Sequence, residues 1–263
     1  MNIQVGAGGV RLEGFLNVDI RKVEGVDIVG DAADLRTIES GTVNVLFGNA
    51  LFEHLYLGHQ LAALREWKRV LGPEGVLIVL GLPDFEMIAR LYLQRAPGIV
   101  GERFDLLNVY RYTHGEPEHA TPPVWPVWHA AGDSAPGGWL PQLHKCLFDA
   151  AYVSGLLEET GFRAALFDYA YPGEEHALNL GFIAVPSAGA ALPETVEEIR
   201  KGLARIPGVE KFANLESITP RGDSVVHEGL LKVARDLDST RPKPLWKKIT
   251  NRVAKLIPAV ASI

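Results

Sequence analysis

The chain has 263 residues, 47% hydrophobic and 22% charged, which marks an ordinary globular protein with a sizeable core. Its net charge of −6 argues against nucleic acid as a partner, because neutralising phosphates needs clustered Lys and Arg. The lone cysteine, Cys146, excludes an intramolecular disulfide framework and an all-cysteine zinc site, and no apolar run approaches the ~20 residues that span a bilayer.

A short apolar strand, Asn2–Val5, runs into Gly6-Ala7-Gly8-Gly9, and a second, Phe15–Asp19, ends on a carboxylate. Because the N-terminus enters a strand directly, no leader segment is expected. Glycine lets a backbone approach a ligand closely and adopt positive φ. An acid closing the next strand can accept hydrogen bonds from a ribose diol. Together they read as a nucleoside cofactor site.

Further strands are expected at Asp27–Val29, Val43–Phe47 and Val76–Leu80. Between the last two, Leu61, Leu64, Trp67 and Leu71 repeat at helical spacing and predict a helix over Gly58–Leu71, stopped by the turn Gly72-Pro73-Glu74-Gly75. Strand, helix, turn and strand make a βαβ unit and imply a parallel sheet. Only about nine residues join the first strand to the second and about seven the second to the third, whereas a parallel crossover takes a dozen or more. The early crossover helices are therefore expected to be stubs or missing.

A helix is expected over Asp84–Arg95, then a long segment, 96–145, with little periodicity. A helix over Asp149–Thr160 follows, with Asp149 as N-cap and Gly161 as C′ residue, then strands at Arg163–Tyr169 and Leu178–Val185. Residues 188–263 read as helical and separate, with Leu192–Leu203 and Val225–Leu237 as helices. The expected fold is α/β: a Rossmann-like, mostly parallel sheet over 1–187 with shortened early crossovers, a cap insertion at 96–145 and a helical appendage over 188–263.

The sequence resembles class I S-adenosylmethionine-dependent methyltransferases, in particular a compact group with the early motif Gly-x-Gly, five residues, Gly-aromatic-x-Asn-Val-Asp. Here it reads Gly6-Ala7-Gly8, five residues, Gly14-Phe15-Leu16-Asn17-Val18-Asp19. Gly30-Asp31-Ala32-Ala33-Asp34-Leu35, Phe52-Glu53-His54-Leu55, the helix and turn with Glu66, Arg69-Val70-Leu71, Pro73 and Gly75, Pro83-Asp84-Phe85, and Leu157 to Phe162 follow in the family's order, so the resemblance covers about residues 2–186. It implies S-adenosylmethionine as cofactor. Gly6, Ala7 and Gly8 would lie along its methionine end, Asp19 on the ribose hydroxyls, Asp31 and Ala32 beside the adenine, and Asn49 on the sulfonium side. Val10 departs from a third glycine, Asn44 from an early acid, and Ala50 stands where relatives often have histidine, leaving any shared base without a counterpart. Rival cofactors fit less well. A dinucleotide loop wants a third glycine where Arg11 stands and an acid further on than Asp19, and no phosphate loop with Gly-Lys-Ser or Gly-Lys-Thr is present.

Methyl transfer asks the protein to align an acceptor and exclude water, and an alcohol or amine acceptor gains from a base. Candidate bases are His54, at the carboxyl edge of the fourth strand, and His114, His129 and His144 in the long segment; His54 and His144 are taken as catalytic candidates, and no metal is expected. Each histidine also has a structural reading, as a packed or surface residue. Between Arg111 and Lys145 lie three of the five tryptophans, Trp125, Trp128 and Trp139, and six prolines. Long loops are functional or disordered, and dense aromatics argue against disorder. The segment reads as a substrate cap or as a proline-stiffened cover.

From Arg241 to Ile263 there are six basic residues and no acid. Leu245, Trp246, Ile249, Val253, Leu256 and Ile257 form an apolar stripe opposite Lys247, Lys248, Arg252 and Lys255. Such a helix reads as an interfacial membrane anchor or as a terminal helix docked on its own acidic body. The resulting expectation is a cytoplasmic enzyme, with peripheral contact at the inner membrane face through 241–263. It would methylate an oxygen or nitrogen of a sugar, glycan or small metabolite. The alternative is a non-catalytic partner protein docked to a membrane-associated assembly.

Overall fold

Strand alternation sorts the side chains of this chain onto two sheet faces, and each face recruits a different cover. The computed structural model describes residues 1–8, 10–97, 104, 106–114, 143–221 and 228–240. In chain order these form β1 (Asn2–Val5), β2 (Leu16–Asp19), β3 (Ile28–Val29), β4 (Val43–Asn49), α1 (Leu57–Val70), β5 (Leu71–Pro83), α2 (Phe85–Gln94), α3 (Leu106–His114), α4 (Ala150–Glu159), β6 (Phe162–Ala170), β7 (Asn179–Pro186), α5 (Val196–Ala204), β8 (Asn214–Pro220) and α6 (Glu228–Thr240). The sheet order is β3-β2-β1-β4-β5-β7-β6-β8. The first five strands pair in parallel, and β7 pairs antiparallel with both β5 and β6. The fold is the expected Rossmann-like α/β sheet.

On one face, Ile3, Val5, Leu46, Leu77 and Val79 pack under α1, α4 and α6. Trp67 of α1 is fully buried there, and its indole N–H donates to the carbonyl of Ala32 at 2.8 Å. A Cβ on Gly58 would meet the backbone of Leu237 and Asp238 within 3 Å, so glycine there lets α1 and α6 approach closely. Arg65 of α1 pairs with Asp238 of α6. Asp149 caps α4 by accepting from the N–H of Tyr152, and Gly161 just beyond α4 has φ +75°.

The other face carries Phe47, Ile78, Leu80, Phe167 and Ile183. Among the described residues, no helix joins β1 to β2, β2 to β3 or β3 to β4. Buried Gln4 of β1 takes over part of that role. Its amide donates to the carbonyl of Val10 at 2.8 Å and its carbonyl accepts from the N–H of Leu12 at 2.9 Å, holding the connecting loop flat so that Leu12 and Phe15 enter the core. The rest of this face is covered by α5 and the 3₁₀ turn Val209–Lys211 through Ile199, Leu203, Val209 and Phe212. Residues 188–221 therefore do not read simply as a separate helical unit: β8 pairs antiparallel with β6. That strand escapes the hydrophobic pattern because only Ile218 of its seven residues is buried, as suits a solvated sheet edge.

The 96–145 segment contains a further difference. Leu106–His114 is helical, and Val109 and Tyr112 pack with Ile88, Leu91 and Phe104 against α2. Trp125, Trp128, Trp139, His129 and the basic stripe of 241–263 lie outside the described residues. Among the described residues no helix is long and apolar enough to cross a membrane.

Candidate active site

The parallel register sets β1 beside β4, with Val5 opposite Gly48, so the glycine bend after β1 and the loop after β4 leave the sheet at the same carboxyl edge. Gly6 and Gly8 have φ of +64° and +53°. A Cβ on Gly6 would sit 2.9 Å from Leu51, so only glycine fits between the loop and that side chain. The Gly6 N–H donates to the carbonyl of Val18 at 2.8 Å, tying the bend to β2.

Asp19 ends β2 and is 5% exposed. Its Oδ2 accepts from the Gly8 N–H at 2.8 Å, and its Oδ1 accepts from the backbone N–H and the Nε of Arg21 at 2.8 and 3.2 Å. Burial opposes its ionisation, but the Arg21 backbone and guanidinium donors and the Gly8 N–H outweigh burial and hold the carboxyl below its ordinary value. An ionised acceptor thus stands at the carboxyl end of β2. After β3, Asp31 is exposed and accepts from the Ala33 N–H at 2.8 Å, while Ala32 is buried. Asn49 ends β4, and its carbonyl oxygen accepts from the Tyr171 hydroxyl at 3.1 Å, which turns its amide nitrogen away from that contact. Ala50 follows with φ +46°, a conformation that costs an alanine of order 1 kcal/mol and that re-aims the chain into the 3₁₀ turn Phe52–His54.

That turn meets the end of the long segment. The Lys145 N–H donates to the Glu53 carbonyl at 2.7 Å and the His144 N–H to the His114 carbonyl at 3.0 Å. His54 and His144 are thereby brought edge to face, with ring centroids 5.1 Å apart. Nδ1 of His54 pairs with the Leu143 carbonyl at 3.2 Å, and Nδ1 of His144 with the Tyr112 carbonyl at 3.1 Å. A carbonyl only accepts, so each Nδ1 carries the proton and each Nε2 presents a lone pair. Glu53 Oε1 lies 3.7 Å from His54 Nε2, and the other oxygen, Oε2, is buried without a partner. By contrast, His114 is exposed and stacked on Tyr110.

The sequence of residues 13–79 matches the family profile described as a methyltransferase domain. Over this part the chain is similar to a methyltransferase domain. Among solved structures the chain is similar to S-adenosylmethionine-dependent methyltransferases of Thermotoga maritima (11% identity, 70% of this chain and 80% of that one, TM-score 0.41), Aquifex aeolicus (14%, 69% and 79%, TM-score 0.37) and Archaeoglobus fulgidus (14%, 69% and 84%, TM-score 0.41). No curated protein sequence matches it.

The residues at this sheet edge would suit S-adenosylmethionine, the cofactor that the sequence resemblance implies. A buried carboxylate that is ionised, a bend that only glycine can make and a side-chain amide stand at one sheet edge. When bound, S-adenosylmethionine supplies a methyl group already activated by a sulfonium. Burial pushes the His54 imidazole below its ordinary value, and burial with the His54 neighbour takes His144 down to about 4, so both rings are neutral at pH 7. Burial pushes the Glu53 carboxyl up to about 8. Glu53 and Tyr171 were missed as site residues in the sequence. Glu53 stood inside the quoted Phe52-Glu53-His54-Leu55 run, whereas Tyr171 had no signal.

The Glu53 carboxyl gives the protein a pH signature. Its folded value, about 8, lies above the ordinary 4.5, so the folded state holds this proton more tightly than the unfolded chain. That contribution to stability is complete below 4.5 and is lost as pH rises through 8. In chelator-treated protein, the melting temperature is expected to fall from pH 6 to pH 9 more steeply in the wild type than in Glu53→Gln. Parallel slopes by calorimetry would refute the assignment.

Proposed function

We propose that this protein is an S-adenosylmethionine-dependent methyltransferase that methylates an oxygen or nitrogen of a sugar, a glycan or a small metabolite. The observation that carries the reading is the pair His54 and His144, two neutral imidazoles with Nε2 unprotonated, met by the turn that follows β4 at the same sheet edge as the Gly6 bend. An acceptor O–H or N–H placed against either Nε2 would pass its proton there while its lone pair takes the methyl carbon and the sulfonium–methyl bond breaks, with S-adenosylhomocysteine as the leaving group, a contribution of roughly 10²–10⁴ in rate. The sequence of the cap supports a flat, ring-shaped acceptor, because Trp125, Trp128 and Trp139 crowd into it. The N–H of Lys145 anchors the returning end of that segment on the Glu53 carbonyl.

The test is release of S-adenosylhomocysteine over a panel of glycans, free sugars and small amines. Acceptor-dependent release is expected, with kcat reduced by roughly 10²-fold or more in His54→Gln or His144→Gln and KM for the cofactor little changed. Tight binding of S-adenosylhomocysteine without turnover of any acceptor would favour the non-catalytic alternative.

A further inference from the structure

We propose that Glu53, His54 and His144 form a binding site for one divalent transition-metal ion of the zinc type. One ligand atom from each of the three lies within 4.8 Å of the other two. Two imidazole nitrogens and a carboxylate oxygen are the donor set of many three-ligand zinc sites, which leave a further position open. The same mixed set suits zinc, cobalt or nickel better than magnesium or calcium, which take oxygen ligands throughout.

Three further features separate this cluster from a chance meeting of polar side chains. Each imidazole has its Nδ1 engaged by a backbone carbonyl, Leu143 for His54 and Tyr112 for His144. Metal-binding histidines are oriented in this way, because the outer hydrogen bond sets the tautomer and aims Nε2 at the ion. Glu53 is 1% exposed, and its Oε2 has no hydrogen-bond partner. An unpaired buried carboxyl oxygen is costly, and a cation beside it removes the cost. The three residues also sit on two anchored segments, since the Lys145 N–H is bonded to the Glu53 carbonyl itself at 2.7 Å. A purely structural histidine pair would not need a buried acid left open beside it.

An ion here would leave room for an oxygen of the acceptor and lower the pKa of its hydroxyl, in place of the imidazoles as proton acceptors. That role rests on the methyl-transfer reading; the ion site does not.

The experiment uses the full chain, stripped with a chelator and titrated with Co²⁺ as a spectroscopic probe, with Zn²⁺ stoichiometry measured by equilibrium dialysis. One equivalent is expected, with the visible bands of a four- or five-coordinate ion. Loss of one ligand in His144→Ala or Glu53→Gln should weaken affinity by about 100-fold or more. His59→Ala, whose ring packs on Tyr56 outside the cluster, should bind as the wild type does. Far-ultraviolet circular dichroism confirms that the isosteric Glu53→Gln is folded. Absence of stoichiometric binding, or equal affinity in wild type, His144→Ala and Glu53→Gln, overturns the site. Calorimetry with S-adenosylhomocysteine on the metal-free protein is read separately, so a failed cofactor site and a failed ion site give different results.

Discussion

Replacing Asp19 with alanine is expected to weaken S-adenosylhomocysteine binding by at least tenfold, about 1.4 kcal/mol. The carboxylate has two tasks in this protein. It offers an ionised acceptor at the carboxyl edge of β2, and it holds the loops on either side, through the Gly8 N–H at 2.8 Å and the Arg21 N–H at 2.8 Å. Alanine removes both and leaves these donors without their partner, so the loss should exceed that of a single ligand contact. Asp19→Asn keeps the shape but turns an amide N–H₂ toward donors, so it should also bind poorly. Titration calorimetry on both variants checks this. Unchanged affinity in both would mean that the ribose is held elsewhere.

The largest effect on stability is expected from Arg221→Met. Arg221 directly follows β8, and its guanidinium reaches Asp84 at 2.7 Å, Glu86 at 2.7 Å and Asp168 at 3.3 Å. Asp84 is fully buried and caps α2, and Asp168 on β6 is buried with Oδ1 unpartnered. Breaking a buried pair by deleting one partner costs about 3–5 kcal/mol, because the stranded charge stays in the core. Burial already pushes the Asp168 carboxyl up to about 6 against the pull of Arg221, and raises that of Asp84. Both can shed their charge by taking a proton in acid. The variant should therefore lose about 3 kcal/mol or more at pH 8 and clearly less at pH 5, as read by urea unfolding. A loss below about 1 kcal/mol at pH 8 would show that the cluster is solvated and carries little.

The part of this fold that was legible from the sequence is the part that local rules dictate. Leu61, Leu64 and Trp67 at helical spacing place α1 within a residue of its bounds, and Asp149 and Gly161 mark both ends of α4. The short spacing between β1, β2 and β3 already ruled out full crossover helices there. The turn expected at Gly72–Gly75 is absorbed into a bulged start of β5, because Leu71 pairs with Val43 before the register shifts. Two elements were not legible. The helix α3 is only nine residues long within a segment of weak periodicity, and β8 buries a single side chain, so neither leaves a hydrophobic signature.

In the site, the glycine bend and Asp19 could be read in advance because both lie within one strand-loop-strand unit. The sequence by itself determined the strands, the βα unit around α1, the bend of Gly6 to Gly8 and the acid that follows it, since alternation, helical period and backbone freedom act over a few residues. Only the tertiary structure decided that residues 195–213 would cover the sheet face left bare by the missing helices, and that His144 would come to rest against Glu53 and His54 across some ninety residues of chain. Those contacts are chosen by which buried surfaces and unpaired carbonyls remain once the sheet has formed, and no local pattern records that choice.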